Sequence, residues 1–196
     1  MTKFLGEAGL DLIFRAARTR NGWADKKIEP DLLHQLYDLL KWGPTSFNCQ
    51  PARFVFVQSP EAKARLKPHL MASNADKTMK APVCVIVAYD SRFQEFLPQS
   101  FPAYDAKPLF DGNPALADAT AKRNGSMQGA YLIIAARALG LDCGPMSGFD
   151  AQGVDKEFFP DGRWKSNFLC NIGYGTDEGL YPRNPRLGFD EACRVV

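Results

Sequence analysis

Two clusters of arginine stand near the ends of this 196-residue chain: Arg15, Arg18 and Arg20 at one, Arg183 and Arg186 at the other. A guanidinium is planar and always charged, and its paired donors match the oxygens of a phosphate. A phosphate clamp built from both ends is one reading of the pattern; a solvated basic surface is the other. A third stretch concentrates neutral hydrogen-bonding groups. Thr45, Ser46, Asn48 and Gln50 lie between Pro44 and Pro51, after Trp42-Gly43 and before Arg53-Phe54. Such a crowd suits a wet pocket that holds a polar ligand by several hydrogen bonds. A helix-to-strand connector carries similar residue types.

Other chemistry lacks its residues. No G-x-G-x-x-G follows a strand pattern and no G-x-x-x-x-G-K-[ST] occurs, which argues against a Rossmann site and a P-loop. The two histidines, His34 and His69, have no nucleophile at a recognisable spacing and read as surface residues, so a Ser-His-Asp or Cys-His machine has little support. No paired histidine or carboxylate cluster points to a metal. An enzyme built this way needs a bound cofactor to supply the reactive atom.

The elements that must position these groups can be traced along the chain. Residues 10–18 read as a helix. Leu32, Leu33, Leu36, Leu39 and Leu40 recur at helical spacing behind Pro30 and predict a second helix over 30–42. Residues 54–57 form a strand, and Ser59-Pro60 opens the next helix. Ser73 is placed to cap a short helix through Lys80, and Pro82 leads into a strand over 83–89. Residues 98–113, with Pro98, Pro102, Pro108 and Gly112, read as a long surface loop. Asn113-Pro114 starts the longest helix, which stops at Gly140. A strand over 143–147 enters a turn at Gly148, Asp150 caps another helix, and residues 166–174 form the last strand. The tail from Gly175 is rich in proline and arginine. About four strands among many helices predict a small mixed sheet clad by helices, an α+β layering.

The long helix carries Ala117, Ala121, Gly125 and Gly129, one small residue per turn along one stripe. Two interior glycines cost about 1 kcal/mol each relative to alanine, so close packing should offset them. The stripe favours a helix–helix interface in a symmetric dimer, with a kink or a contact inside one chain as the alternative.

Composition sets the outer bounds. With 45% hydrophobic and 23% charged residues the chain is globular, and its length fits one domain over 1–196. The net charge of +2 gives no ground for a nucleic-acid partner. No apolar run approaches the roughly 18 residues of a membrane helix, and the N-terminal residues do not read as a secretory signal. Cys49, Cys84, Cys143, Cys170 and Cys193 are odd in number and form no C-x-x-C, so cytoplasmic free thiols are expected.

The stretch Pro44-Thr45-Ser46-Phe47-Asn48-Cys49-Gln50-Pro51 resembles the P-[ST]-S-x-N-x-Q-P signature of the flavin-dependent nitroreductase family. The similarity runs over essentially the whole chain. It resembles most the malonic semialdehyde reductase branch, through N-G-W at 21–23, K-W-G-P-T-S at 41–46, S-M-Q-x-A-Y-L-I at 126–133 and A-L-G-L-D-x-G-P-M-S-G-F-D at 138–150.

That resemblance implies a nitroreductase-like fold with a small, mainly antiparallel central sheet. It implies an intertwined homodimer with exchanged terminal segments and two FMN sites at the subunit interface. Arg18, Thr19 and Arg20 match the segment that holds the flavin phosphate and ribityl chain. Pro44, Thr45, Ser46 and Asn48 match the signature that reaches the flavin from the partner subunit. Asn74 and Lys77 match an N-x-x-K pair whose lysine lies at the N1/O2 edge, which makes Lys77 the candidate catalytic residue. Pro145, Met146, Ser147 and Gly148 match the turn beside N5 and O4, and Arg186 with Arg183 matches the tail that closes on the phosphate. Two departures stand out: Asn21 where many relatives have arginine, and Ala52 where many have tryptophan.

The implied function is ping-pong hydride transfer through flavin N5, from NADPH or NADH to malonic semialdehyde, giving 3-hydroxypropionate. Arg92, Lys107 and Arg123 are candidate anchors for the substrate carboxylate, with no means of choosing among them. A general NAD(P)H nitroreductase or quinone reductase is the alternative enzyme. A non-catalytic flavin carrier or a dimeric interaction module is the alternative of a different class. No membrane or nucleic-acid partner is expected.

Overall fold

The computed structural model describes residues 4–196. Its centre is a four-stranded sheet in the order β2-β3-β5-β4, formed by Ala52–Val57 (β2), Val83–Asp90 (β3), Asp142–Met146 (β4) and Trp164–Gly173 (β5). Every neighbouring pair is antiparallel. A two-residue ribbon pairs Gly22–Trp23 (β1) with Gly175–Thr176 (β6).

Strand β3 explains why the sheet sits where it does. All eight of its residues are buried, so both faces must be covered. Val83, Val85 and Val87 face one core with Leu36, Leu40, Leu132 and Ala136. Cys84, Ile86 and Ala88 face a second core with Leu66, Val154 and Leu169. The alternation is the period of two that a pleated strand imposes. The first core is closed by α2 (Pro30–Leu40) and α7 (Pro114–Ala138), the second by α3 (Pro60–Leu66) and α8 (Ala151–Phe158). The α+β expectation is therefore met, with an antiparallel rather than a mixed sheet, and three of the four cladding helices begin with a side-chain cap while α2 begins with Pro30. Ser59 accepts from the Ala62 amide, Asn113 from Leu116 and Asp150 from Gly153, each at 3.0–3.1 Å. Gly140, with φ of 77°, sits just beyond the last turn of α7 in the left-handed region that glycine tolerates.

Several elements depart from their sequence pattern. The first helix runs over Glu7–Leu10 (α1) and widens into a π-helical turn over Asp11–Arg15, so Arg18 lies beyond it rather than within it. Ser73 does not cap α4, which spans Ala72–Lys80 behind Met71; the serine falls inside the first turn. Residues 98–113 are not a plain loop. They hold Leu97–Ser100 (α5) and Lys107–Asp111 (α6), anchored by Phe93, Leu97, Ala106 and Phe110 in a third small core. A last short helix, Phe189–Ala192 (α9), interrupts the tail.

The small-residue stripe of α7 also has a different partner from the one expected. A Cβ on Gly129 would come within 2.6 Å of the Phe168 ring and 3.2 Å of Val87, and one on Gly125 within 3.2 Å of Tyr89. Ala117 and Ala121 are buried in the third core. The glycine half of the stripe lets α7 lie close against its own sheet, and the alanine half packs against the short helices α5 and α6 of the same chain. The opposite side of α7 leaves Leu116, Met127 and Tyr131 exposed.

Among the described residues, no helix is long and apolar enough to cross a membrane, and no group of His, Cys, Asp and Glu could hold a metal. All five cysteines are free. Burial pushes the Cys84 thiol up to about 12 and the Cys49 thiol up to about 11, which keeps both protonated and unreactive at neutral pH. Cys193 alone is exposed. A thiol reagent should accordingly modify one cysteine quickly in the native protein and all five after denaturation; rapid modification of two or more native thiols would contradict this packing.

Candidate functional site

The site begins at the edge of β4. Thr19 makes a parallel bridge with Cys143, and the Arg20 amide donates to the Cys143 carbonyl at 3.0 Å. The N-terminal segment thus lies along the strand as a short fifth partner. Its approach requires Gly144, because a Cβ there would sit 2.7 Å from the Arg20 carbonyl oxygen.

From this edge the two ends of the chain meet. Arg18 donates to the Tyr181 carbonyl, and Arg183 donates to the carbonyls of Arg15 and Ala17 at 2.7 and 2.9 Å. Together they enclose a cavity of about 560 Å³ whose wall includes Arg15, Arg18, Arg137, Arg183 and Arg186, with Thr19 and Asn21 beside them. No lining residue is acidic. Arg15 has its carboxylate partners, Glu7 and Asp11, outside the wall. Arg137 reaches the Ile13 carbonyl at 3.0 Å, but its Nε is buried with no partner. Carbonyl partners fix a guanidinium without cancelling its charge, so the cavity keeps a positive field and unused donors. An anion with several oxygens fits it.

Arg20 stands apart from this wall. It is held by the Thr176 carbonyl at 3.1 Å and by Asp142 and Asp177 at 3.5 and 2.5 Å. Two carboxylates already offset its charge, which suits a structural tie to the β1–β6 ribbon, although its Nε is buried without a hydrogen-bond partner.

A second cavity, of about 640 Å³, adjoins the first through the shared residues Asn21 and Tyr181. Asn74 and Lys77 line it from α4. The Asn74 amide donates to the Gly148 carbonyl at 2.9 Å, as does the Met71 backbone amide at 3.1 Å. These bonds join α4 to the 145–148 turn. Behind the turn, Asn171 donates to Thr78 at 3.1 Å, and Thr78 contacts the Met146 sulfur at 3.6 Å. Pro145 and Met146 end β4, while Ser147 is exposed. Lys77 is half-buried and forms no ion pair among the described residues; the nearby Glu178 is paired with Lys80 at 3.4 Å. The lysine charge is therefore not directly paired, although Asp76 also lines this cavity.

The turn with Pro44, Thr45, Ser46 and Asn48 lies elsewhere in the same chain. None of these four lines either cavity. Asn48 instead borders a third cavity of about 390 Å³, with Tyr37, Gln50, Arg53, Phe96 and Gln128. The turn is strained. Phe47, Asn48 and Gln50 take positive φ values of 51°, 46° and 40°, each costing of order 1 kcal/mol for a side-chain-bearing residue.

Pattern reading missed Arg137, Asn124 and Gln128. Arg137 lies in the last turn of α7, where a cation favours the helix dipole and draws no special notice. Asn124 and Gln128 interleave with the glycine stripe. Two amides on an otherwise small, buried face were the available signal, since a buried amide must find partners.

Replacing Gly144 by alanine should push the Arg20 segment off β4. A loss of about 1–3 kcal/mol is expected from overpacking, which lowers Tm by roughly 3–10 °C in a chain of this length. An unchanged Tm would mean that the N-terminal segment does not dock on this edge.

Comparison with known proteins agrees with this geometry. The profile of the Nitroreductase family matches residues 18–174. A protein of Rhodopseudomonas palustris (strain TIE-1), provisionally named NADH dehydrogenase/NAD(P)H nitroreductase, is 61% identical over 196 residues, covering all of both chains. One of the same provisional name from Stenotrophomonas maltophilia (strain R551-3) is 60% identical over 196 residues, again covering both in full. Among solved structures, a provisionally named nitroreductase of Exiguobacterium sibiricum in complex with FMN superposes with a TM-score of 0.83 at 21% identity, covering 100% of each chain. An enone reductase of gut-bacterial fatty acid saturation superposes with a TM-score of 0.83 at 22% identity, covering 98% of this chain and 100% of that one. The antiparallel sheet, its helical cladding and the profile match agree: the chain belongs to the Nitroreductase family.

Proposed function

We propose that this protein is an FMN-dependent NAD(P)H oxidoreductase that works as a homodimer. The carboxylate-free arginine cavity, joined to a second one containing Asn74 and Lys77, is the observation that carries this reading. FMN is a phosphate monoester on a hydroxylated chain that ends in a planar polar ring. The buried, unpartnered Nε of Arg137 and the charge of Arg18, Arg183 and Arg186 fit its phosphate. Thr19 and Asn21 offer hydrogen bonds suited to the hydroxylated chain, and Asn74, Lys77 and the 145–148 turn suit the ring edge.

Dimerisation is supported by unpartnered surface. A compact monomer of this mass exposes about 9,200 Å², whereas this chain exposes 11803 Å². Trp42, Tyr181, Leu187 and Phe189 are each 65–78% exposed. A second subunit packed against these residues would cover them while the two ends of each chain stay joined at the arginine cavity. It would also let the signature turn of one subunit complete the cavities of the other. Five unpaired cysteines suit a reducing, cytoplasmic setting.

When bound, FMN supplies two-electron hydride chemistry that no side chain here can provide. The arginines would hold the phosphate by charge-assisted bonds. Lys77 brings a positive charge to a partly buried wall, where it would stabilise negative charge on the ring edge. Asn74, tied to the Gly148 carbonyl, keeps α4 and the turn at a constant separation.

The acceptor reading is broad: nitro compounds and quinones. Malonic semialdehyde is the finer reading, and its carboxylate needs a cation. Arg92, Lys107 and Arg123 line none of the three cavities beside the signature turn and the two chain ends. Lys107 is already paired with Asp111. Arg53 borders the third cavity but is spent on Asp90 at 2.8 Å. The broad reading fits these side chains better.

Anaerobic addition of NADPH or NADH to the FMN-loaded protein should bleach the flavin, and nitrofurazone, a quinone or malonic semialdehyde should then restore it in order of preference. A protein that takes up no FMN, or whose flavin stays oxidised, would refute the reading. Lys77→Met should slow bleaching roughly 10–1000-fold, in the range of a lost charge-stabilising donor. Arg183→Gln should weaken FMN binding by about 10–100-fold, as expected for a hydrogen bond to a charged group. An unchanged rate in the first, or an unchanged affinity in the second, would remove that residue's role.

A further inference from the structure

The strained turn at 44–52 is gripped at both ends by one helix. Asn124 and Gln128 lie one turn apart on α7 and are 2% and 4% exposed. Asn124 Oδ1 accepts from the Ser46 amide at 2.9 Å, while its Nδ2 donates to the Thr120 carbonyl at 2.8 Å. The second bond fixes which way the amide points. Gln128 Oε1 accepts from the Ala52 amide at 2.9 Å. Between these two anchors lie all three side-chain-bearing residues with positive φ: Phe47, Asn48 and Gln50.

Strained backbone persists only where its surroundings over-determine it. Within the turn, Thr45 accepts from the Gln50 amide at 3.1 Å, a local bond that can travel with it. Outside it, Asn48 donates to the Ser100 carbonyl of α5 at 2.8 Å, and the Phe47 ring packs against Phe101 and Phe110. The two α7 amides hold the backbone at both ends of the strained stretch, and α7 is itself packed into the core along its buried face. We infer that Asn124 and Gln128 are positioning residues: they hold the 44–52 turn in its left-handed shape before any ligand arrives, so that it meets the flavin site already formed.

This rests on the flavin reading above and adds a claim about preorganisation. Binding to a turn held in its bound shape avoids the cost of ordering it. It also explains why α7 carries two amides on a buried face otherwise made of alanine, glycine, leucine and one threonine. A buried amide facing a partnerless neighbour costs stability, so both must have been matched to the turn.

Hydrogen exchange and FMN titration test the clamp together. Gln128→Met keeps the length of the side chain and removes the acceptor; Gln128→Glu keeps an oxygen at the same reach. In Gln128→Met, amides at 45–52 should exchange at least tenfold faster while those of β3 stay slow, and FMN should bind about tenfold more weakly. Gln128→Glu should recover both. A general packing role would speed exchange in β3 as well, and would not be restored by an acceptor oxygen. Equal exchange at 45–52 and equal FMN affinity in Gln128→Met would overturn the inference. Should that variant fail to fold, the unaltered FMN-free protein decides the matter. Slow exchange of the Ser46 and Ala52 amides supports the clamp, and exchange that becomes slow only after FMN is added overturns it. An unaltered protein that takes up no FMN refutes the flavin reading, and the exchange comparison then judges the clamp alone.

Discussion

A guanidinium bound to a backbone carbonyl is held in place but keeps its charge. The candidate site depends on that distinction. Arg18 and Arg183 tie the two ends of the chain together through carbonyls, and Arg137 does the same from the end of α7. Arg20 and Arg163 are the contrasting cases. Arg20 is met by Asp142 and Asp177, and Arg163 by Asp90 and Glu95, so their charge is largely spent on structure. Only the first set leaves a field that an anion can answer.

The sheet and α7 make that arrangement rigid. Buried on both faces, β3 fixes the plane of the sheet, and β4 at its edge presents Gly144 to the N-terminal segment. The same strand leads directly into the 145–148 turn, which Asn74 holds from α4. One edge strand therefore aligns the arginine segment, the turn and the Asn74–Lys77 helix. A shift of β4 would move all of them together, which couples the phosphate end of the site to its ring end.

On its other flank α7 performs a separate task. Its small residues let it lie against β3 and β5, and the two amides interleaved with them reach past the sheet edge to the strained turn. Its outward side chains, Leu116, Met127 and Tyr131, remain uncovered. The helix is thus suited to serve two bodies at once: its own sheet inside and, in the proposed dimer, a second subunit outside.

Much of the scaffold was legible in the order of residues. The apolar run in 83–89, leucine spacing after Pro30 and caps at Ser59, Asn113 and Asp150 act over a few residues, and the structure keeps them. The arginine-bearing ends and the polar turn stood out for the same reason, since residue type and local spacing express them. Partners distant in sequence were not legible. Whether the glycine stripe faces a helix or a sheet depends on Phe168 and Val87, which lie about forty residues away on either side. Arg18 and Arg20 are two positions apart and alike in chemistry, yet one meets a carbonyl and the other two carboxylates. Local sequence decided what each segment could form and which charges it carried. The tertiary structure decided which of those charges were cancelled, because a counter-charge acts through space and its distance is set only when the chain folds.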